Sequence, residues 1–157
     1  MKKFLTFIFA IVVSFIPCVI GLFFSPSGAS DVWYNLLNKS TLTPAGWVFG
    51  VAWGILYLLL GIALFMVMNN RRTRVNKTKA YILFVVQMIL NALWSYVFFG
   101  AHLMGIAMGI LAALLVFSIW MSRAFWHISI GAFWLTMPYI VWLVFALYLN
   151  GYIVMTN

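Results

Sequence analysis

"WVFGVAWGILYLLLGIALFMVM", Trp47 to Met68, runs from end to end without a charge, a proline or an amide. A helix rises 1.5 Å per residue, so about 20 such residues cross the roughly 30 Å of hydrocarbon in a bilayer. Four more runs of this kind lie on either side: Phe4 to Phe24, Ala80 to Phe99, Met104 to Met121 and Ile128 to Ile153. All are continuously apolar, without the alternation of barrel strands. The pattern predicts an all-α membrane protein, a five transmembrane helix bundle in one domain over residues 1–157. Only the first link, 25–46, has room for structure of its own.

Composition agrees. Of 157 residues, 67% are hydrophobic and 6% charged, and the mean hydropathy is +1.14, far from a soluble domain. The net charge of +8 does not point to nucleic acid. Arg71, Arg72, Arg74, Lys77 and Lys79 crowd one short link, where topology explains them. With five crossings, these five share a side with Lys2, Lys3 and Arg123, while Lys39 stands opposite with Asp31. The bias of cations toward the cytoplasm predicts a cytoplasmic N-terminus, with the first link and the C-terminus outside. The short chain suits a bacterial cell membrane, with an organelle membrane as the alternative. Lys2 and Lys3 followed by an apolar run and "SPSGAS" also fit a signal peptide, but the run is longer than the usual apolar core of one, so a retained first helix is expected.

Several chemistries are excluded. Asp31 is the one acidic side chain in the chain, so paired-carboxylate catalysis and proton relays through membrane Asp or Glu have no residues to use. His102 and His127 fall in links on opposite sides and cannot share a metal within one protomer. Cys18, the sole cysteine, reads as a packing residue in the first span.

An aromatic and weakly polar interior is left. Phe49, Trp53 and Tyr57 share one face of the second span, and Gly46, Gly50 and Gly54 form a stripe about 100° around the helix, where a neighbouring helix is expected to approach closely. Trp47 reads as an interface anchor. The third span aligns Gln87, Asn91, Trp94, Ser95 and Phe98. An unpaired amide in hydrocarbon costs roughly 2 to 7 kcal/mol, so Gln87 and Asn91 should face a partner, a water or a ligand. The fifth span repeats the theme with Trp134, Pro138, Trp142, Phe145 and Ala146, and Pro138 should loosen the helix and widen a cavity. Ala101, Gly105, Gly109 and Ala113 form a small-residue stripe suited to a helix of the same or a second protomer. Two readings of the aromatic faces stay open: ordinary core, or a cavity for a flat, largely apolar ligand.

Three blocks then carry a resemblance: "DVWYNLLNKSTLTPAGWVFGVAWGILY" (Asp31 to Tyr57), "NALWSYVFFG" (Asn91 to Gly100) and "PYIVWLVFALYLN" (Pro138 to Asn150). In order, and over essentially the whole chain, they resemble the signature blocks of the translocator protein family, also called tryptophan-rich sensory proteins or peripheral-type benzodiazepine receptors. The resemblance implies a five-helix bundle, commonly a homodimer, with no required cofactor and a cavity that binds tetrapyrroles such as protoporphyrin IX and drug-like benzodiazepine-site ligands. It implies Trp53, Asn91 and Trp142 in the pocket, Phe49, Tyr57 and Ala146 on its walls, and Trp33, Tyr34 and Pro44 as a lid. It also implies light-dependent breakdown of bound porphyrin, with Trp53 and Trp142 as the reacting residues. Lys39 would be placed to meet a porphyrin propionate, or to be a solvated link lysine.

The chain departs from the family pattern at Ser40, Leu42 and Ala45, where prolines and a tryptophan are frequent, which predicts a more mobile lid. Tyr96 replaces a frequent proline, which predicts a straighter third helix. The last helix lacks the cation of a sterol-recognition pattern, which leaves sterol binding unsupported. Receptor or sensor, porphyrin-degrading enzyme and transporter are the three functions that follow from the resemblance.

Overall fold

The computed structural model describes residues 1–24, 32–70 and 76–157. Six α-helices are found there: α1 Lys2–Phe24, α2 Val32–Leu36, α3 Gly46–Asn69, α4 Thr78–Ser95, α5 Met104–Trp126 and α6 Ile130–Thr156. Among the described residues, all but the short α2 are long and apolar enough to cross a membrane, five spans in all. Their outward faces carry Phe9 and Val12 on α1, Val85 and Ile89 on α4, and Val141 and Val144 on α6, all exposed. An apolar surface of this extent belongs in lipid. The chain is a multi-pass membrane protein.

The five long helices close a ring in which α1 packs on α3, α3 on α6, α6 on α5, α5 on α4 and α4 on α1. Their ends follow from local chemistry. Ser129 caps α6 by accepting the Ala132 N–H. Lys77 donates to the Asn70 carbonyl at 2.6 Å and the Met68 carbonyl at 3.3 Å, placing a cation on the carbonyl end of α3. The helix α5 runs past the expected Met121 to Trp126, with Arg123 in its favourable last turn. Asp31 and the cations Arg71, Arg72 and Arg74 lie outside the described residues.

The glycines correct one expectation. A side chain at Gly50 or Gly54 would meet nothing within 4 Å, so that stripe admits no helix. The close approach is nearly two turns further on, at Gly61, whose added Cβ would lie 2.7 Å from Ile11 Cδ1 and 3.1 Å from Ile11 Cα. There α1 and α3 touch nearly backbone to backbone, with Ala10 fully buried. Gly105 and Gly109 likewise have open space around them, so no other helix of the chain packs on that stripe among the described residues.

Tyr96 also departs from expectation. The helix does not simply run straight on where proline is absent; it widens into a π-helical turn over Tyr96–Gly100. Tyr96 keeps its N–H, which donates to Ala92 and Leu93 carbonyls, and its own carbonyl accepts from Ala101 five residues on at 2.9 Å. The extra residue per turn brings Phe98 inward, where it is 3% exposed. Trp134, expected on the inner face of the last span, points out and is 61% exposed.

Candidate functional site

The α2 end of the bundle encloses a cavity of about 250 Å³. Each surrounding element contributes residues at helical spacing. From α1 come Pro17, Cys18 and Gly21; from α3 Phe49, Gly50, Trp53 and Tyr57; from α4 and its π turn Trp94, Ser95, Phe98 and Phe99; from α6 Ala146, Asn150 and Ile153; and Tyr34 of α2 lies over the mouth. Tyr57 is eleven residues into α3 from Gly46, so the hollow reaches about 16 Å down the helix at 1.5 Å per residue.

The wall is an aromatic array. Trp53 is its hub: it stacks on Tyr57 at 5.5 Å between ring centroids and leans on Trp94 at 6.2 Å, while Trp94 stacks on Phe98 at 5.6 Å. Asn150, 2% exposed, sets the angle of Trp94 by accepting its indole N–H at 3.2 Å, and in turn donates to the Met104 carbonyl at 3.1 Å. None of the described lining side chains is acidic or basic. Among the described residues, no three His, Cys, Asp or Glu are grouped to hold a metal. The wall therefore supplies stacking faces and a few dipoles, without a carboxylate, imidazole or amine among its described residues.

Below the cavity a buried polar chain fastens three helices. The Tyr57 hydroxyl donates to Asn91 Oδ1 at 2.6 Å, Asn91 Nδ2 donates to the Tyr139 hydroxyl at 2.9 Å, and that hydroxyl donates to Gln87 Oε1 at 2.9 Å. Gln87 Nε2 has no partner among the described residues. Both amides thus face protein partners, as hydrocarbon demands.

The lid is tied down from several directions. Trp33 meets Phe98 edge-on at 5.7 Å, and Tyr34 meets Phe98 and Phe99. Lys39 Nζ donates to the Tyr34 carbonyl at 2.8 Å and sits 4.6 Å from the centre of its ring. Asn38 exchanges hydrogen bonds with Thr156 and Asn157 at the end of α6: its N–H reaches Asn157 Oδ1 at 2.9 Å, and its carbonyl accepts from Thr156 Oγ1 at 3.1 Å. The Ser40 hydroxyl pairs with that of Tyr148 at 3.0 Å. Burial pushes the Tyr34 hydroxyl above its ordinary pKa.

Of the residues expected at the site, Tyr34, Phe49, Trp53, Tyr57 and Ala146 share the cavity wall. Asn91 lies behind Tyr57, within the polar chain. Trp33 meets Phe98 of the wall edge-on without itself lining the cavity, and Pro44 precedes α3 without reaching the wall. Trp142 stands behind the wall: its ring meets Trp53 at 6.3 Å and Phe49 at 5.9 Å, and it faces a groove on the outer side between α3 and α6. Its indole N–H is buried without a partner among the described residues, a cost of about 1–3 kcal/mol. Lys39 is engaged with Tyr34, neither free in solvent nor turned to the cavity.

Two contributions escaped the sequence reading. Asn150 was signalled by its four-residue spacing from Ala146, an amide on an otherwise apolar face. The wall formed by Pro17, Cys18 and Gly21 had no such signal, since small residues in an apolar span read equally as packing.

A family model described as TspO/MBR family matches residues 7–155. The chain is 33% identical over 137 residues to "Tryptophan-rich protein TspO" of Chlorobaculum tepidum, covering 87% of this chain and 86% of that one. It is 32% identical to "Tryptophan-rich sensory protein" of Cereibacter sphaeroides, covering 85% and 80%, and 33% identical to the human "Translocator protein", covering 75% and 70%. The five-helix ring and the match from the first span to the last together place this chain in the TspO/MBR family.

Proposed function

We propose that the protein is a membrane receptor or sensor that binds a tetrapyrrole such as protoporphyrin IX, or a drug-like flat molecule of the benzodiazepine-site kind, in the cavity beneath α2. The observation that carries this reading is the uncharged wall built around Trp53, where Tyr57 and Trp94 offer further ring faces in a space lined by four helices. The name "Tryptophan-rich sensory protein" of one relative supports the sensory role. At about 250 Å³ the cavity is smaller than the 300–1,000 Å³ of ordinary ligand pockets. A macrocycle therefore requires the walls of the cavity to move apart as it binds. The same reading sets the N-terminus in the cytoplasm and α2 outside a bacterial membrane, and leaves the exposed Gly105 and Gly109 face open to a second copy in a homodimer.

The test is a titration of purified protein with protoporphyrin IX in the dark, following tryptophan quenching. Saturable quenching that weakens at least about tenfold in Trp53→Ala is expected; affinity unchanged in that variant refutes the site.

A second reading, light-dependent breakdown of the bound porphyrin, is favoured by the adjacency of Trp53 and Trp142. Only Trp53 is on the wall, so Trp142 would act through it. Illuminated consumption that persists in the Trp53→Phe, Trp142→Phe double variant rules this out.

A further inference from the structure

The groove on the outer side of the bundle shares a wall with the cavity. Ala52 and Ile55 of α3 line it on one side, Pro138, Val141 and Trp142 of α6 on the other. Ile55 and Val141 are exposed on the lipid-facing surface, at 53% and 70%. The partition between groove and cavity is a single layer of rings: Trp142, which belongs to the groove, lies directly against Phe49 and Trp53, which belong to the cavity.

The α6 side of this seam is loosened at the level of the groove. Pro138 lacks an N–H within α6, so the Trp134 carbonyl is without its usual intrahelical donor in the turn that precedes Trp142. Trp142 itself holds a buried N–H with no partner among the described residues. A donor kept dry and unpaired in the partition costs free energy that an incoming acceptor would relieve.

We propose that the α3–α6 groove is a lateral port through which flat apolar molecules bearing a carbonyl, ether or ring-nitrogen acceptor pass from the bilayer into the cavity. Trp142 is its gate, turning away from Phe49 as its N–H meets the acceptor. The port rests on the cavity being a ligand site, but its opening is measurable without the ligand. Molecules of this kind concentrate in hydrocarbon, and the port, with Ile55 and Val141 exposed on the lipid-facing surface, receives them there.

Cys18, the sole cysteine, is on the cavity wall and reports access. Protein in phosphatidylcholine vesicles is treated with N-(1-pyrenyl)maleimide, which dissolves in the bilayer, or with a water-soluble methanethiosulfonate carrying a sulfonate. Ala52→Phe and Val141→Trp fill the groove from its two sides, and Val141 is too exposed for its change to disturb the fold. Labelling by the pyrene reagent is expected to slow roughly tenfold in both variants while the sulfonate rate is unchanged. Pyrene labelling at the wild-type rate in both variants overturns the port, and so does equal slowing of the two reagents. Failure of wild-type protein to bind protoporphyrin IX would remove the ligand reading alone and leave the labelling result to stand by itself.

Discussion

Trp33 lies flat on His102, the two rings 3.9 Å apart and 12° from parallel. His102 holds this position at φ 57°, in the left-handed region that a side chain other than that of glycine adopts at a cost. The helix α2 spans only Val32–Leu36, too short to persist alone. Its order comes from what it touches, and the strained link between α4 and α5 is one of the places where it is anchored.

His102→Ala removes the stacking partner while keeping the unfavourable φ, and is expected to free the lid by about 0.5–1.5 kcal/mol. Faster proteolysis within the first link, with an unchanged midpoint for unfolding of the bundle, is the measurement. His102→Gly relieves the backbone but also lacks the ring, so equal lid release in the two variants assigns the effect to the stack.

The lid should also respond to alkali. Burial holds the Tyr34 hydroxyl above its ordinary pKa of 10.0, so closure favours the protonated phenol. That contribution is complete below pH 10 and is lost as pH rises through the raised value, as the open lid binds fewer protons. Absorbance of phenolate should show a step above pH 10 that accompanies lid opening and is missing in Tyr34→Phe. Lys39→Met removes the ammonium over the same ring and should leave the Tyr34 step in place.

Two glycines of α3 should respond to alanine with opposite signs. Gly61→Ala drives a methyl into the α1 backbone and is expected to cost about 1–3 kcal/mol. Gly54→Ala meets nothing and should stabilise by about 0.5–1 kcal/mol through helix propensity. Thermal unfolding in detergent distinguishes them, and matching signs would contradict the packing described for α1 and α3.

Asn91→Leu strips partners from two tyrosine hydroxyls at once. The expected loss is about 1–3 kcal/mol, larger than that of Tyr57→Phe, which removes one end of the chain of hydrogen bonds. If Asn91 instead contacts ligand directly, the substitution lowers affinity while leaving the unfolding midpoint in place.

Much of the architecture could be read from hydrophobicity alone, because a segment that crosses hydrocarbon must satisfy its backbone internally and show lipid an apolar surface. The face of Phe49, Trp53 and Tyr57 was legible for the same reason: four-residue spacing fixes a common direction. What spacing does not reveal is which neighbour lies opposite. Gly50, Gly54 and Gly61 are alike as letters, yet only Gly61 meets a helix, since the crossing point depends on how α1 and α3 tilt. Trp142 likewise falls on the expected helix, but rotation of α6 puts its ring behind the wall. Trp134 shares its spacing and faces outward for the same reason.

The π turn at Tyr96–Gly100 has a consequence for comparing relatives. Such a turn holds one residue more than the α-helical turn it replaces, so a homologue that is α-helical throughout this stretch corresponds to the chain only with a one-residue gap. Aligned without it, every position between the turn and the nearest true gap is offset by one, and Phe98 is equated with a neighbour that faces about 100° away. Residue-by-residue transfer of roles across this part of the family should therefore start from superposed helices, with letters matched afterwards.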